Sequence, residues 1–175
     1  MKRISLILVF ALFFTSSVFS QEQNNSQFYL KSVSAGIGVT GGEETSGGIG
    51  FNADVTTALN KNLFSLALAT GTEIDLFEAH RNFFSADLLY GREFSITRVF
   101  KIEAHAGVGI FSENYKNGDT DFREVNESVL GIPLRLKFLF NITPKFTMGI
   151  NPNVNFNSIE TIYSGNLIFQ YNFRN

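Results

Sequence analysis

The 175-residue chain has no cysteine, no tryptophan and only 3 prolines. Without cysteine there is no disulfide framework, and no acylated cysteine can make the mature protein a lipoprotein. Charge is scarce. Asp, Glu, Lys and Arg make up 17% of the chain, against roughly 25% in ordinary soluble domains. The formal net charge is −2, so the basic face that a nucleic-acid partner needs is missing. Helical periodicity is missing as well. After the N-terminal residues there is no apolar run of the roughly 20 residues that a spanning helix requires. Any membrane crossing by this chain must therefore use strands.

The N-terminus is different in kind. Lys2 and Arg3 precede an apolar run, Ile4 to Phe14, broken only by Ser5. Thr15-Ser16-Ser17 then leads to Val18-Phe19-Ser20, with small residues where a signal peptidase reads. The pattern is that of a cleaved secretory signal over 1–20, too short for an anchor, with a single domain over 21–175.

What fills that domain is alternation. Phe100, Ile102, Ala104, Ala106, Val108 and Ile110 interleave with Lys101, Glu103, His105, Gly107, Gly109 and Phe111. A period of two means strand, because successive side chains point to opposite faces. Eight such strands are expected, near 31–40, 48–58, 63–72, 83–92, 100–111, 129–140, 146–156 and 165–173. Short connections at 60–62, 93–98 and 141–145 alternate with longer ones at 41–47, 73–82 and 112–127, and 157–163 is intermediate. Short turns on one side and long loops on the other suit an all-β, eight-stranded, antiparallel up-and-down transmembrane β-barrel. An even strand number puts both termini on the short-turn, periplasmic side. Pro133 and Pro152 interrupt two strand patterns, which predicts a bulge, a rim position or shifted boundaries at each.

The two faces differ in composition. One carries Gly, Ser, Ala and Asn with few charges, which suits the cramped interior of an eight-stranded barrel. The other is apolar and uncharged, as a lipid-facing band requires, with aromatics such as Phe64, Tyr90, Phe140 and Tyr171 near strand ends. A secreted lipocalin-like barrel that binds an apolar ligand would reverse this arrangement.

The signal, the eight strands and the terminal aromatic strand Leu167-Ile168-Phe169-Gln170-Tyr171-Asn172-Phe173 resemble small outer-membrane barrels of the OmpA/OmpX type. The segment Gly131-Ile132-Pro133-Leu134-Arg135-Leu136-Lys137-Phe138 is similar to the Ile-Pro-Leu strand of the Bacteroidota "porin family" barrels. The resemblance implies a Gram-negative outer membrane, contact with its lipid, insertion by the barrel-assembly machinery and a monomer. It implies no assigned chemistry.

Candidate functional residues are few. Asp54, Asp87, Glu103, His105, Arg135 and Lys137 fall on the inward face. They are expected to form a structural polar network, because a buried charge must be paired. Glu103 or Asp87 is the expected partner of Arg135. A structural or surface-interaction role is expected; because eight strands leave no open channel, a small porin-like channel is only the alternative function. No enzyme is expected. Eight-stranded barrels can be enzymes such as lipid A deacylases, but those show a His-x-Ser spacing that neither His80 nor His105 matches. No metal or cofactor is expected either. Asn117-Gly118-Asp119-Thr120-Asp121 lacks the spacing and terminal Glu of a calcium loop. The expected external loops are acidic: Glu43, Glu44, Glu73, Asp75, Glu78, Glu113, Asp119, Asp121, Glu124, Glu127 and Glu160 stand against Arg81, Lys116 and Arg123. Such a surface attracts divalent cations or a basic partner.

Overall fold

The structure, a computed structural model, describes residues 28–43, 47–73, 81–116 and 124–173. The expected signal, His80, Glu78 and the segment 117–121 lie outside these residues. Eight strands follow one another: β1 Tyr29–Gly42, β2 Gly48–Leu59, β3 Asn62–Glu73, β4 Arg81–Ser95, β5 Phe100–Lys116, β6 Glu124–Asn141, β7 Phe146–Asn157 and β8 Ile162–Asn172. Each pairs antiparallel with the next, and β1 pairs with β8, so the sheet is a closed barrel.

Several strands outrun the expected boundaries. The segment 112–127, expected as a loop, is strand at both ends: Ser112, Glu113 and Asn114 pair with Ser128, Glu127 and Asn126. Polar residues can extend a ladder because the hydrogen bonds belong to the backbone, and they leave no apolar alternation to read. Likewise Glu93, Phe94 and Ser95 continue β4 instead of starting a turn, opposite Glu103, Ile102 and Lys101.

Neither proline sits at a bulge or rim. Pro133 lies within β6 opposite Asn155, and Pro152 within β7 opposite Gly165, with the register unchanged on either side. What the prolines remove is hydrogen bonds. The β5–β6 ladder lacks the pairs of Gly107 and Val108, and the β6–β7 ladder lacks those of Leu136 and Lys137. Pro133 and Pro152 have no N–H to give to the carbonyls of Gly107 and Leu136. The register shift lies in β1, between Leu30 and Ser32. It turns the consecutive residues Lys31 and Ser32 both inward.

Three tight connections and the described ends of the chain share one end of the barrel. The β2–β3 turn uses Asn60 at φ 57°, a left-handed value that Asn tolerates better than most residues. The other two repeat one design. Ile96 and Ile142 donate their N–H to the carbonyls of Phe100 and Phe146, while the Thr97 and Thr143 hydroxyls accept from the N–H of the same two residues. Aromatic pairs ring this end on the outside: Phe64–Tyr90 at 5.6 Å, Phe100–Phe140 at 4.8 Å and Tyr171–Phe173 at 5.2 Å between centroids.

The polarity of the barrel is inverted relative to a water-soluble one. Arg135, Lys137, Glu103 and Gln170 are among the largest fully buried side chains, whereas Leu130 is 79% exposed and Leu88 65%. Among described outward-facing strand side chains one is charged. Arg92 lies on the outer face at the turn end, level with Asn62, where a long side chain can carry its head into water. Pro152 also faces outward, and Pro152→Val tests the broken ladder. A carbonyl unmet in an apolar surround costs more than the roughly 0.4–1 kcal/mol of unfolded-state restriction that proline supplies. The substitution is expected to stabilise the barrel by about 1–2 kcal/mol in urea titrations in lipid vesicles. A lowered midpoint would show that the Leu136 carbonyl is already satisfied.

Candidate functional site

The lumen is built in layers, because residues of one parity from every strand point into it. Nearest the turns, Lys31 Nζ contacts Glu103 Oε1 at 2.5 Å and Glu93 Oε2 at 2.6 Å. Lys101 Nζ stands 3.7 Å from Glu93 and 3.9 Å from Glu103. Above this lies a second cluster centred on Asp54. Lys137 Nζ reaches its Oδ1 at 2.8 Å, and Arg135 Nη1 reaches its Oδ2 at 3.4 Å. The hydroxyls of Ser34 and Thr56 donate to the same carboxylate at 2.6 Å and 3.1 Å.

Asp54, Asp87, Glu103, His105, Arg135 and Lys137 are all buried in the lumen. The partner of Arg135 is neither Glu103 nor Asp87, as expected from sequence, but Asp54. Contacts across a lumen depend on how strands are staggered around the barrel, and alternation within one strand does not report that. Asp87 accepts from the Ser85 hydroxyl at 3.3 Å, while its Oδ1 and the Nε and Nη2 of Arg135 have no protein hydrogen-bond partner. Both ring nitrogens of His105 are likewise without one, so among the described residues no hydroxyl nucleophile is poised against it.

Sequence reasoning missed three members of the turn-end cluster. Lys31 is turned inward by the β1 irregularity, which no alternation predicts. Glu93 was expected in a turn, yet it shares the parity of Asp87 and Gly91 along an extended β4. Lys101 shares the parity of Glu103, a signal that was present in the sequence. With these three, Asp54, Asp87, Glu93 and Glu103 face Lys31, Lys101, Arg135 and Lys137. The charges balance, as a low-dielectric interior demands.

Towards the loop end the lumen becomes amide-rich and then apolar. Asn52, Asn153, Asn155 and Asn166 line a small cavity closed above by Phe83, Phe111 and Ile162. The two rings stack at 5.6 Å with 24° between planes. Above them, at the mouth, Arg81 lies 3.4 Å from Glu113 and 3.7 Å from Glu160. Among the described residues no three His, Asp or Glu are arranged to hold a metal ion.

This layered, charge-lined interior within an apolar wall can be compared with known proteins. Neisserial surface protein A superposes with a TM-score of 0.63 at 12% identity, over 86% of this chain and 100% of that one. Ail, the attachment invasion locus protein of Yersinia pestis, gives 0.58 at 14%, over 83% and 100%. The chain has the fold of the small outer-membrane barrels. The outer membrane enzyme PagL shares it too, with a TM-score of 0.50 at 15% identity over 80% of this chain and 98% of its own. A fold common to an enzyme and to surface proteins does not assign activity by itself. No protein-family model matches the sequence. No curated protein matches it either.

The Asp54 cluster carries a stability prediction. Lys137→Met leaves the buried Asp54 carboxylate with Arg135 as its one cation within 4 Å among the described residues, beside the Ser34 and Thr56 hydroxyls, and is expected to destabilise the barrel by about 3 kcal/mol. Adding Asp54→Asn should recover about 1–3 kcal/mol of that loss, the coupling typical of residues in one network. Strictly additive effects in vesicle unfolding would mean that the two side chains do not act together.

Proposed function

We propose that this protein is an integral outer-membrane barrel, probing or binding at the cell surface through its loop end and without catalysis of its own. One observation carries the reading: the charged side chains are inside and the apolar ones are outside. A soluble lipocalin-like barrel requires the reverse, and the described residues enclose no ligand-sized apolar interior. An open channel is disfavoured because Arg135, Lys137, Glu103 and the Phe83–Phe111 stack fill the lumen.

Support for a surface role comes from the loop end. β7 ends at Asn157, opposite Gly131, so residues 124–130 of β6 continue with a strand partner only in β5 among the described residues. β4, β5 and β6 thus continue together at this end, with Arg81 opposite Tyr115 and Lys116 opposite Glu124. In this reading the residues over 1–20 are the export signal, the chain ends face the periplasm, the barrel is monomeric and the assembly machinery inserts it. The Ile132-Pro133-Leu134 segment supports a place among the Bacteroidota porin-family barrels.

Two measurements test the reading. Leu134 faces outward, and Leu134→Arg is expected to cost roughly 2–4 kcal/mol in vesicles if it meets lipid near the midplane. A protein that purifies without detergent and tolerates this change would overturn the membrane assignment. For orientation, an impermeant thiol reagent on intact cells should label Glu127→Cys and spare Lys61→Cys. The opposite pattern would invert the barrel.

A further inference from the structure

We propose that a furrow in the outer wall seats one acyl chain of an anionic phospholipid, whose phosphate is held at the turn end by Arg92 and Lys61. The proposal rests on the reading that the apolar wall meets lipid. The furrow crosses five strands, from Tyr90 and Arg92 on β4 to Tyr163 on β8, and offers about 660 Å³. That lies within the range of small-molecule sites. Its course follows from register. One row has Arg92 opposite Ala104, Ala104 opposite Leu136, and Pro152 opposite Gly165. A second row beside it runs from Tyr90 through Ala106 and Leu134 to Tyr163. Four interstrand steps of about 4.8 Å give a length of roughly 19 Å, the reach of a fatty acyl chain. The rows cross the strands, and barrel strands are tilted, so the furrow climbs the wall. It starts level with Asn62, the first residue of β3, and ends at the loop end of β8.

Small residues make the hollow. Ala104, Pro152 and Gly165 share the first row, and a Cβ built at Gly165 meets no atom within 4 Å. On the turn side of that row the wall rises again at Ile102, Phe138 and Ile150, which pair in sequence across β5, β6 and β7. Leu134 and Tyr163 form the opposite bank, and both are exposed. Both banks are apolar. A hollow in such a wall leaves its lining atoms without partners on one side, and an acyl chain lying along it supplies them.

Charge selects the class of lipid. Arg92, the charged residue of the outer face among those described, lines the furrow. Lys61 precedes Asn62, which stands opposite Arg92, and the Lys61 carbonyl accepts the Glu93 N–H at 3.1 Å. Both cations therefore belong to one stretch of the rim. Among the described residues neither side chain has an ion-pair or hydrogen-bond partner. The other two turns add Arg98 and Lys145, and residues 60–61, 96–99 and 142–145 include no acid. Exposed cations at a membrane surface draw anionic lipid, and a guanidinium matches a phosphate with two parallel hydrogen bonds. A second copy of the chain is a poorer occupant. Two barrels in one membrane point the same way, so their cationic rims would meet.

The test uses the refolded full-length barrel in detergent micelles, with folding checked in each sample by heat-modifiable gel mobility. A chain that lacks this mobility shift would sink the membrane reading itself, whatever lipid it carries. Phosphatidylglycerol, phosphatidylethanolamine and phosphatidylcholine, all with the same oleoyl chains, are added in equal amounts. Lipid retained per barrel is then read by native mass spectrometry. One phosphatidylglycerol is expected to be retained in preference to the other two lipids. Arg92→Gln and Lys61→Gln should each lower its retention about fivefold, the weight of one cation at a membrane surface. Ala104→Phe fills the furrow and should lower retention of all three lipids. Ile49→Phe, on the outer face of β2, should leave it unchanged. Equal retention of the three lipids by a folded barrel, or retention of none, would overturn the proposal. So would unchanged retention in both the Arg92→Gln and Lys61→Gln variants, or equal effects of Ala104→Phe and Ile49→Phe. A dimer in the spectrum that Ala104→Phe abolishes would give the furrow to a second copy and overturn it as well.

Discussion

Closure of the sheet governs the rest of this molecule. In an apolar surround a backbone N–H or C=O has no water to turn to. The ladder from Ser32↔Asn172 to Gly42↔Ile162 removes both edges that an open sheet would leave. Closing at eight strands also sets the bore, which is only wide enough to be packed by side chains. Large inward groups then need room from their neighbours. A Cβ at Gly91 would strike the His105 ring, and one at Gly109 would strike the Asp87 carboxylate. Packing and charge are solved together: the side chains that fill the bore are ionic, so they must balance within it.

Strand number, order and facing were legible from alternation, since a lipid-facing wall and a packed bore write opposite residue types on alternate positions. The inward placement of Arg135 and Lys137 followed from the same parity. Their partner did not. Asp54 reaches β6 across the lumen, and that meeting depends on stagger. Lys31 was hidden for another reason. The irregularity at Leu30 and Ser32 breaks the period at the point where the side chain turns inward. The loop-end extension of β5 and β6 escaped because most of its residues are polar, so the backbone pairing there has little side-chain signature.

The two ends of the barrel are built by different rules. At the turn end an Ile-Thr-x-x-Phe sequence occurs twice, at 96–100 and 142–146, and folds twice into the same hydrogen-bonded turn. The Asn141 side chain links them by donating to the Arg98 carbonyl at 3.1 Å. At the loop end, order comes from side chains reaching inward: the Asn157 turn, the Phe83–Phe111 stack and the Arg81 ion pairs. The first kind of end tolerates little sequence change, and the second can be rewritten residue by residue above a fixed wall.

The two prolines have a mechanical consequence. They lie on adjacent strands, and each removes a bond on one side or the other of β6. The longest strand of the barrel is therefore its least tethered near mid-height, flanked by two short seams. Strain imposed on the wall by a change in bilayer thickness would be relieved there first, so deuterium uptake in the native state should concentrate along β6 between Ile132 and Lys137. A cylinder that looks uniform in topology is, in compliance, hinged along one stave.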